Sequence, residues 1–366
     1  MFSFPSEITG YIAEYADIET LKNLSLASHS LKSEASRYLW YTAPLESPHP
    51  ERFFIMQRYA WAIRDVQLRF TCDYQVSGSE DFDMCERMLS ILFSLPRLHS
   101  LHLFVYVPSS EHRDECQIFK YFLEADFSRS HLRNLALTGE LFRRGRRDLV
   151  TKLLSQLSNL ETLDFSGIHL ERNARFISGM LPRLSRLTAT TIEDLSVAVG
   201  CSLKHLDLSC GRLDLEHIDM LISFLNTSLQ SITFLRIHTS GTLETMHQIL
   251  KRLAIFPGLR RFYIQFFILR HAFLSSQYAA PILSSIEFSK TNGGFRRLSE
   301  LALVGPPFER EAGEQFIRGC FGILGETLNS VEIRQRREGD EALEKTILVR
   351  RASSRTLTIS TSLDMD

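Results

Sequence analysis

The sequence predicts an α/β fold: a block of three short N-terminal helices, then an irregular solenoid with a parallel sheet on its concave side and helices on its convex side. Three observations predict it. A hexad of the form apolar-x-x-apolar-x-apolar recurs eleven times between residues 63 and 333. Most copies follow a run of apolar residues at helical spacing. Several of those runs end in a breaker: Leu95-Pro96, Leu181-Pro182, Phe256-Pro257 and Leu324-Gly325.

The clearest copies begin at Leu98, Leu132, Leu160, Leu184, Leu203, Leu229, Leu259, Leu298 and Leu328. Weaker ones begin at Ile63 and Leu283. The last three residues of each alternate apolar-variable-apolar, the period of a short strand with one buried face. Ahead of Leu160 stand Leu149, Leu153, Leu154 and Leu157, and ahead of Leu229 stand Ile218, Leu221, Ile222 and Leu225. The repeating unit is therefore helix, loop, strand. One such unit cannot bury both its faces alone, but stacked copies can. The helix also supplies the crossover of a dozen or more residues that a parallel strand pair needs. The hexads resemble the leucine-rich repeat, with an irregular period and without the asparagine that often follows the last leucine in that family.

Residues 4–41 follow a different rule. Pro5 suits the first turn of a helix, and Ile8, Tyr11, Ile12 and Tyr15 then share one face. Asp17 can cap a second helix lined by Ile18, Leu21 and Leu24. Ser28 or Ser30 can start a third, carrying Leu31, Ala35, Tyr38 and Leu39. The proline-rich APLESPHP then reads as a stiff connector. The divisions expected are a helical domain over 1–43, a connector over 44–60, the solenoid over 61–335 and a tail over 336–366. In the tail, residues 356–361 alternate weakly and suit an edge strand or partial disorder.

The N-terminal block resembles the F-box. The matching residues are Phe4-Pro5-Ser6-Glu7-Ile8, then Leu21-Lys22-Asn23-Leu24-Ser25-Leu26-Ala27-Ser28, then Leu31. Together with the repeats, the layout resembles F-box proteins with C-terminal leucine-rich repeats of the irregular, fungal-like kind. That resemblance implies a non-catalytic substrate receptor of a Skp/cullin/F-box ubiquitin ligase. The F-box would dock on a Skp-family adaptor, and through it on a cullin scaffold, and the repeats would hold a protein target. It also implies that Phe4, Pro5, Glu7, Ile8, Ile12, Leu21, Leu24 and Leu31 face the adaptor or support that face. The alternative is that the same helices only cap the stack of a repeat scaffold.

On each strand the residues between the apolar positions point out of the sheet. Small polar residues fill the middle, and Tyr and Arg, the residue types of binding hot spots, come later. The expected target-binding residues are Arg186, His205, Asp207, Arg261, Tyr263 and Gln265, with Ser231, Thr233, Ser285 and Glu287 on the same face.

Composition narrows the function further. The chain has 366 residues, 44% of them hydrophobic, with 42 Lys+Arg against 43 Asp+Glu and a net charge of −1. Such balance gives no whole-molecule attraction to nucleic acid or to a membrane surface. No secretory signal, membrane span, Walker loop, G-x-S-x-G or H-E-x-x-H is present in the sequence, and no cofactor is expected. The six cysteines make no C-x-x-C pair, which fits reduced thiols in the cytosol or nucleus. His99 and His102 form no convincing metal pair without a neighbouring acid or thiol. Asp164 and Asp207 carry no mark of an acid–base couple. The basic run Arg143–Arg147 and the segment Arg350-Arg351-Ala352-Ser353 read as solvated loops, the latter with the look of a basophilic kinase site.

Overall fold

The computed structural model describes residues 6–27, 29–39, 42–45, 54, 56–71, 87, 90–92, 94–106, 127, 131–138, 147–166, 179–240, 243–252, 255–267, 276–305, 310–336, 344–351 and 357–363. Phe4 and Pro5 therefore lie outside the described residues, as do most of the basic run at 143–147 and Ser353. The chain forms two compact units, Met1–Glu171 and Arg172–Asp366.

The first unit opens with three helices, α1 (Ser6–Tyr15), α2 (Ile18–Ala27) and α3 (His29–Leu39). As the sequence requires, Asp17 starts α2: its carboxylate accepts from the Thr20 N–H at 2.7 Å. The block has its own small core of Ala13, Leu21 and Ala35, with Ala16, Leu24, Tyr38 and Leu39 packed around it. Strands β1 (Thr42–Leu45), β2 (Asp65–Thr71), β3 (Ser100–Tyr106), β4 (Asn134–Thr138) and β5 (Thr162–Asp164) follow, each parallel to the next. Helix α4 (Arg147–Ser155) crosses between β4 and β5 and buries Val150, Leu153 and Leu154.

In the second unit, strands β6 (Arg186–Ala189), β7 (His205–Arg212), β8 (Phe234–Ser240), β9 (Arg261–Phe267), β10 (Glu300–Gly305) and β11 (Ser330–Arg336) are also parallel and in sequence order. Between β6 and β7 the crossover shrinks to a 3₁₀ helix, Glu193–Ala198, that buries Leu195, Val197 and Ala198. Helices α5 (Leu215–Phe224), α6 (Leu243–Arg252), α7 (Ser276–Thr291) and α8 (Arg310–Leu324) make the later crossovers.

One backbone pattern repeats through both units. In eight hexads the residue after the first apolar residue offers its carbonyl to two N–H groups of the next hexad. Arg64 accepts from His99 and Ser100, His99 from Arg133 and Asn134, and Arg133 from Glu161 and Thr162. The second unit continues in the same way: Ser185, Lys204, Thr233, Arg260 and Ser299 each accept from the following repeat. Buried backbone groups need partners, and this pair of hydrogen bonds supplies them at the start of those strands. The three apolar positions of each hexad are buried, for example Leu203, Leu206 and Leu208 at 0% exposure. A parallel sheet of repeated helix–strand units fits a repeat solenoid.

Two expected copies are corrected. The copy expected at Leu229 begins three residues later: Ile232, Leu235 and Ile237 are buried and β8 starts at Phe234. Ser231 and Thr233 therefore precede the strand. The copy expected at Leu283 is helical and lies in α7. Its buried residues Ile282, Ser285, Ile286 and Ser289 follow the helical period, while Phe288 is exposed. Ser285 and Glu287 accordingly leave the sheet face. Asn292-Gly293-Gly294 is the expected turn, with Gly293 at φ 94° closing α7.

The tail forms two strands, β12 (Glu344–Arg351) and β13 (Leu357–Leu363). Both are antiparallel to their neighbours. Only residues 337–343 separate β11 from β12, too few for a helical crossover, so the chain must reverse.

Candidate binding surfaces

Helix α1 turns its small residues inward and its large ones out. Thr9 and Ala13 are 8% and 2% exposed, whereas Ile8, Tyr11, Ile12 and Tyr15 are 45%, 65%, 44% and 82% exposed. The apolar stripe that the spacing places on one face is thus the uncovered face. The helix packs through Ala13, which clusters with Ala35 and Leu21. On α2, Ile18 and Leu26 add two more exposed apolar residues. Among the expected adaptor residues, Ile8 and Ile12 lie on this surface. Leu21 lies beneath it, and Leu24 and Leu31 are half-buried. Glu7 is described in its backbone alone, within α1. Tyr11 and Tyr15 belong to the same stripe and were legible from the i, i+3, i+7 spacing.

The second surface is the face of the β6–β11 sheet away from the buried leucines. Strand register sets its rows. One row runs Arg186, His205, Phe234, Arg261, Glu300, and the next runs Thr188, Asp207, Arg236, Tyr263, Ala302. A third holds Ser209, His238 and Gln265. All six expected target-binding residues fall on these rows. The residues missed are Phe234, Arg236 and His238, because the three-residue shift at β8 hides them.

These side chains hold one another. The His205 ring stacks on Phe234 with centroids 3.7 Å apart, and Phe234 leans on Tyr263 at 5.3 Å. The Arg236 guanidinium lies 5.5 Å from the Phe234 ring and 5.4 Å from that of Tyr263, and bonds Asp207 at 3.0 Å. His238 approaches the other Asp207 oxygen at 3.7 Å. Next to them Glu300 receives both the Arg261 Nε at 3.2 Å and the Tyr263 hydroxyl at 3.1 Å.

Electrostatics follow from this packing. Burial pushes the His205 pKa down to about 4, with Arg186 and Arg236 acting the same way, so the ring is neutral at pH 7. Burial also lowers His238, against the pull of Asp207. Tyr263 is raised, first by burial and then by its bond to Glu300. What this face offers is a preorganised set of aromatic rings and guanidinium groups, residue types enriched in binding hot spots.

The remaining candidates resolve as structural groups. His102 shares a hydrogen bond with Thr138 at 2.9 Å, and Asp164 accepts from the Ser166 N–H at 2.7 Å. Among the described residues no group of three or more His, Cys, Asp or Glu can hold a metal ion. Cys201, Cys210 and Cys320 are buried free thiols, with burial pushing Cys201 up to about 11 and Cys210 up to about 12. No described helix is long and apolar enough to cross a membrane.

Fold and surfaces together define a repeat protein built on parallel strands. A scan against protein-family models finds no match, and a search of the curated proteins finds none. Among solved structures the chain is similar to the crystal structure of a TDR receptor, with 11% sequence identity and a TM-score of 0.31. The likeness covers 73% of this chain and 42% of that one, so the chain spans less than half the length of that receptor chain.

Proposed function

We propose that this chain is the substrate-recognition subunit of a Skp/cullin/F-box type ubiquitin ligase. The N-terminal helices dock on a Skp-family adaptor, and the open face of the β6–β11 sheet holds a protein target. The chain performs no chemistry; it raises the local concentration of the target near the ligase's catalytic partners. The observation that carries the reading is the outward apolar stripe of α1, with Ile8, Tyr11, Ile12 and Tyr15 uncovered while Thr9 and Ala13 face the block's own core. Large apolar residues exposed together on one helix mark a partner site. The F-box resemblance of residues 4–31 gives that partner its identity. On the second surface, Arg186, Arg236, Arg261 and Tyr263 supply hot-spot side chains around a rigid stack.

The test is a pull-down of a Skp-family adaptor by the wild-type chain and by Ile8→Asp/Ile12→Asp. The reading expects capture by the wild type and loss in the variant, with the melting curve unchanged. An adaptor that ignores the wild-type chain sinks the ligase role and leaves a repeat scaffold whose helices cap the stack. Separately, Arg261→Ala/Tyr263→Ala is expected to lose the target while keeping the adaptor.

A further inference from the structure

We propose that β13 is a self-association edge, through which two copies of this chain pair antiparallel about a twofold axis. Among the described residues β13 pairs with β12 alone and ends the strand order, and an edge strand's outer N–H and C=O groups are the template for strand addition. Proteins usually blunt such edges with charge or proline. Strand β1 of the first unit does so with Pro44. Strand β13, LTISTSL, contains neither a charged residue nor a proline.

Its sequence is close to self-complementary. Laid antiparallel on itself about Ser360, Leu357 meets Leu363, Thr358 meets Ser362 and Ile359 meets Thr361. Ile359 stands opposite Val349, which stands opposite Val331, one of the buried core residues. Thr361 stands opposite Ile347, and Ile347 opposite the buried Ile333. By backbone register Ile359 and Thr361 thus fall in the rows of Val331 and Ile333, while Leu357 and Leu363 pair with Arg351 and Lys345 of β12. A twofold pairing centred on Ser360 sets leucine opposite leucine and threonine opposite serine by residue type, combinations that stabilise cross-strand pairs.

Charge selects the same arrangement. The sequence carries Arg355 before the strand and Asp364 and Asp366 after it. Antiparallel pairing of two copies brings the basic flank of each beside the acidic flank of the other, whereas parallel pairing sets like beside like. The occupant that fits this edge is therefore a second copy, and the contact closes on itself as an isologous dimer. The proposal is independent of the ligase reading.

Sedimentation velocity of the full chain tests it, with Ser360→Lys, Ser360→Glu and their equimolar mixture alongside the wild type. The twofold centre places residue 360 opposite itself, so either variant alone sets like charges face to face, while the mixture sets Lys against Glu. The expected result is a wild-type mass of twice 42.1 kDa at about ten micromolar, a fall to the single-chain mass in each variant, and recovery in the mixture. Circular dichroism melting curves are expected to coincide for the two variants, with the wild type melting no lower. A wild type that stays at the single-chain mass overturns the proposal. So do variants that remain associated, or a mixture that fails to recover.

Discussion

His205 lies flat on Phe234, with ring centroids 3.7 Å apart and ring planes within 5° of parallel. The two residues belong to adjacent strands and face each other in register across β7 and β8. Burial at this position, with the Arg186 and Arg236 guanidinium groups nearby, keeps the imidazole neutral at pH 7.

That neutrality has a measurable sign. The folded pKa of His205, about 4, lies below the ordinary 6.5, so the unfolded chain binds the proton first. Stability is therefore full above about pH 6.5 and is lost as the pH falls toward about 4. Because the ring is half-buried and screened by solvent, we expect on the order of 1 kcal/mol from it. His205→Phe keeps the stack and is expected to flatten most of that slope in denaturant titrations at pH 7 and pH 5. A smaller slope of the same sign remains from His238, whose pKa is also lowered. A His205 resonance titrating near 6.5 in NMR contradicts the assignment.

Strand β8 gives a test of register. Leu235 is fully buried and Leu229 half-buried. Leu235→Ala is expected to cost about 2–5 kcal/mol, the range for a large-to-small change in a packed core. Leu229→Ala is expected to cost about 1 kcal/mol. Urea denaturation of the two variants reads the difference directly.

Two glycines sit at close approaches of different kinds. A Cβ on Gly258 would stand 2.8 Å from the Gln230 carbonyl oxygen and 3.2 Å from that of Ile232, both main-chain atoms leading into β8. A Cβ on Gly319 would meet Leu283 Cδ1 at 2.6 Å, the end of a side chain that can turn aside. Gly258→Ala is expected to cost about 1–3 kcal/mol and Gly319→Ala about 1 kcal/mol or less, measured by chemical denaturation.

In the helical block the outward and inward faces of α1 are expected to respond in opposite ways. Ala13→Leu forces volume into the small core with Leu21 and Ala35 and is expected to cost about 1–3 kcal/mol. Ile8→Asp/Ile12→Asp changes uncovered residues and is expected to stay within about 0.5 kcal/mol. Amide hydrogen exchange across α1–α3 separates the two outcomes, because only the first should accelerate it.

Much of the sheet was legible in the sequence because each strand announces itself twice, by a leading leucine and by alternation. The Leu203 hexad shows this: Leu203, Leu206 and Leu208 satisfy both rules and are all buried. Legibility fails where two periods share positions. In LSSIEF, Leu283 and Ile286 suit a strand hexad and a helix alike. The helical reading depends on Ser285 and Ser289, which do not look like core residues. They are buried because their hydroxyls find carbonyl partners, Ser285 on Pro281 and Ser289 on Leu250. In LQSITFLRI, apolar residues at 229, 232, 234 and 235 allow two frames, and only the sheet chooses between them. The frame error made Phe234 an inward residue and left Arg236 and His238 unread. The Arg236–Asp207 pair was invisible for another reason: its members stand 29 residues apart, joined by strand register rather than by any local spacing.

The reversal at β12 turns the array into something with a terminator. A helix–strand module duplicated upstream of β11 meets the same interface on both sides and is accommodated by lengthening. The same module spliced in after Arg351, the end of β12, follows a strand already running the other way and no longer extends the parallel set. Growth by internal duplication is thus open through the array and closed at its C-terminal end, and any designed extension of this protein has to be made from within.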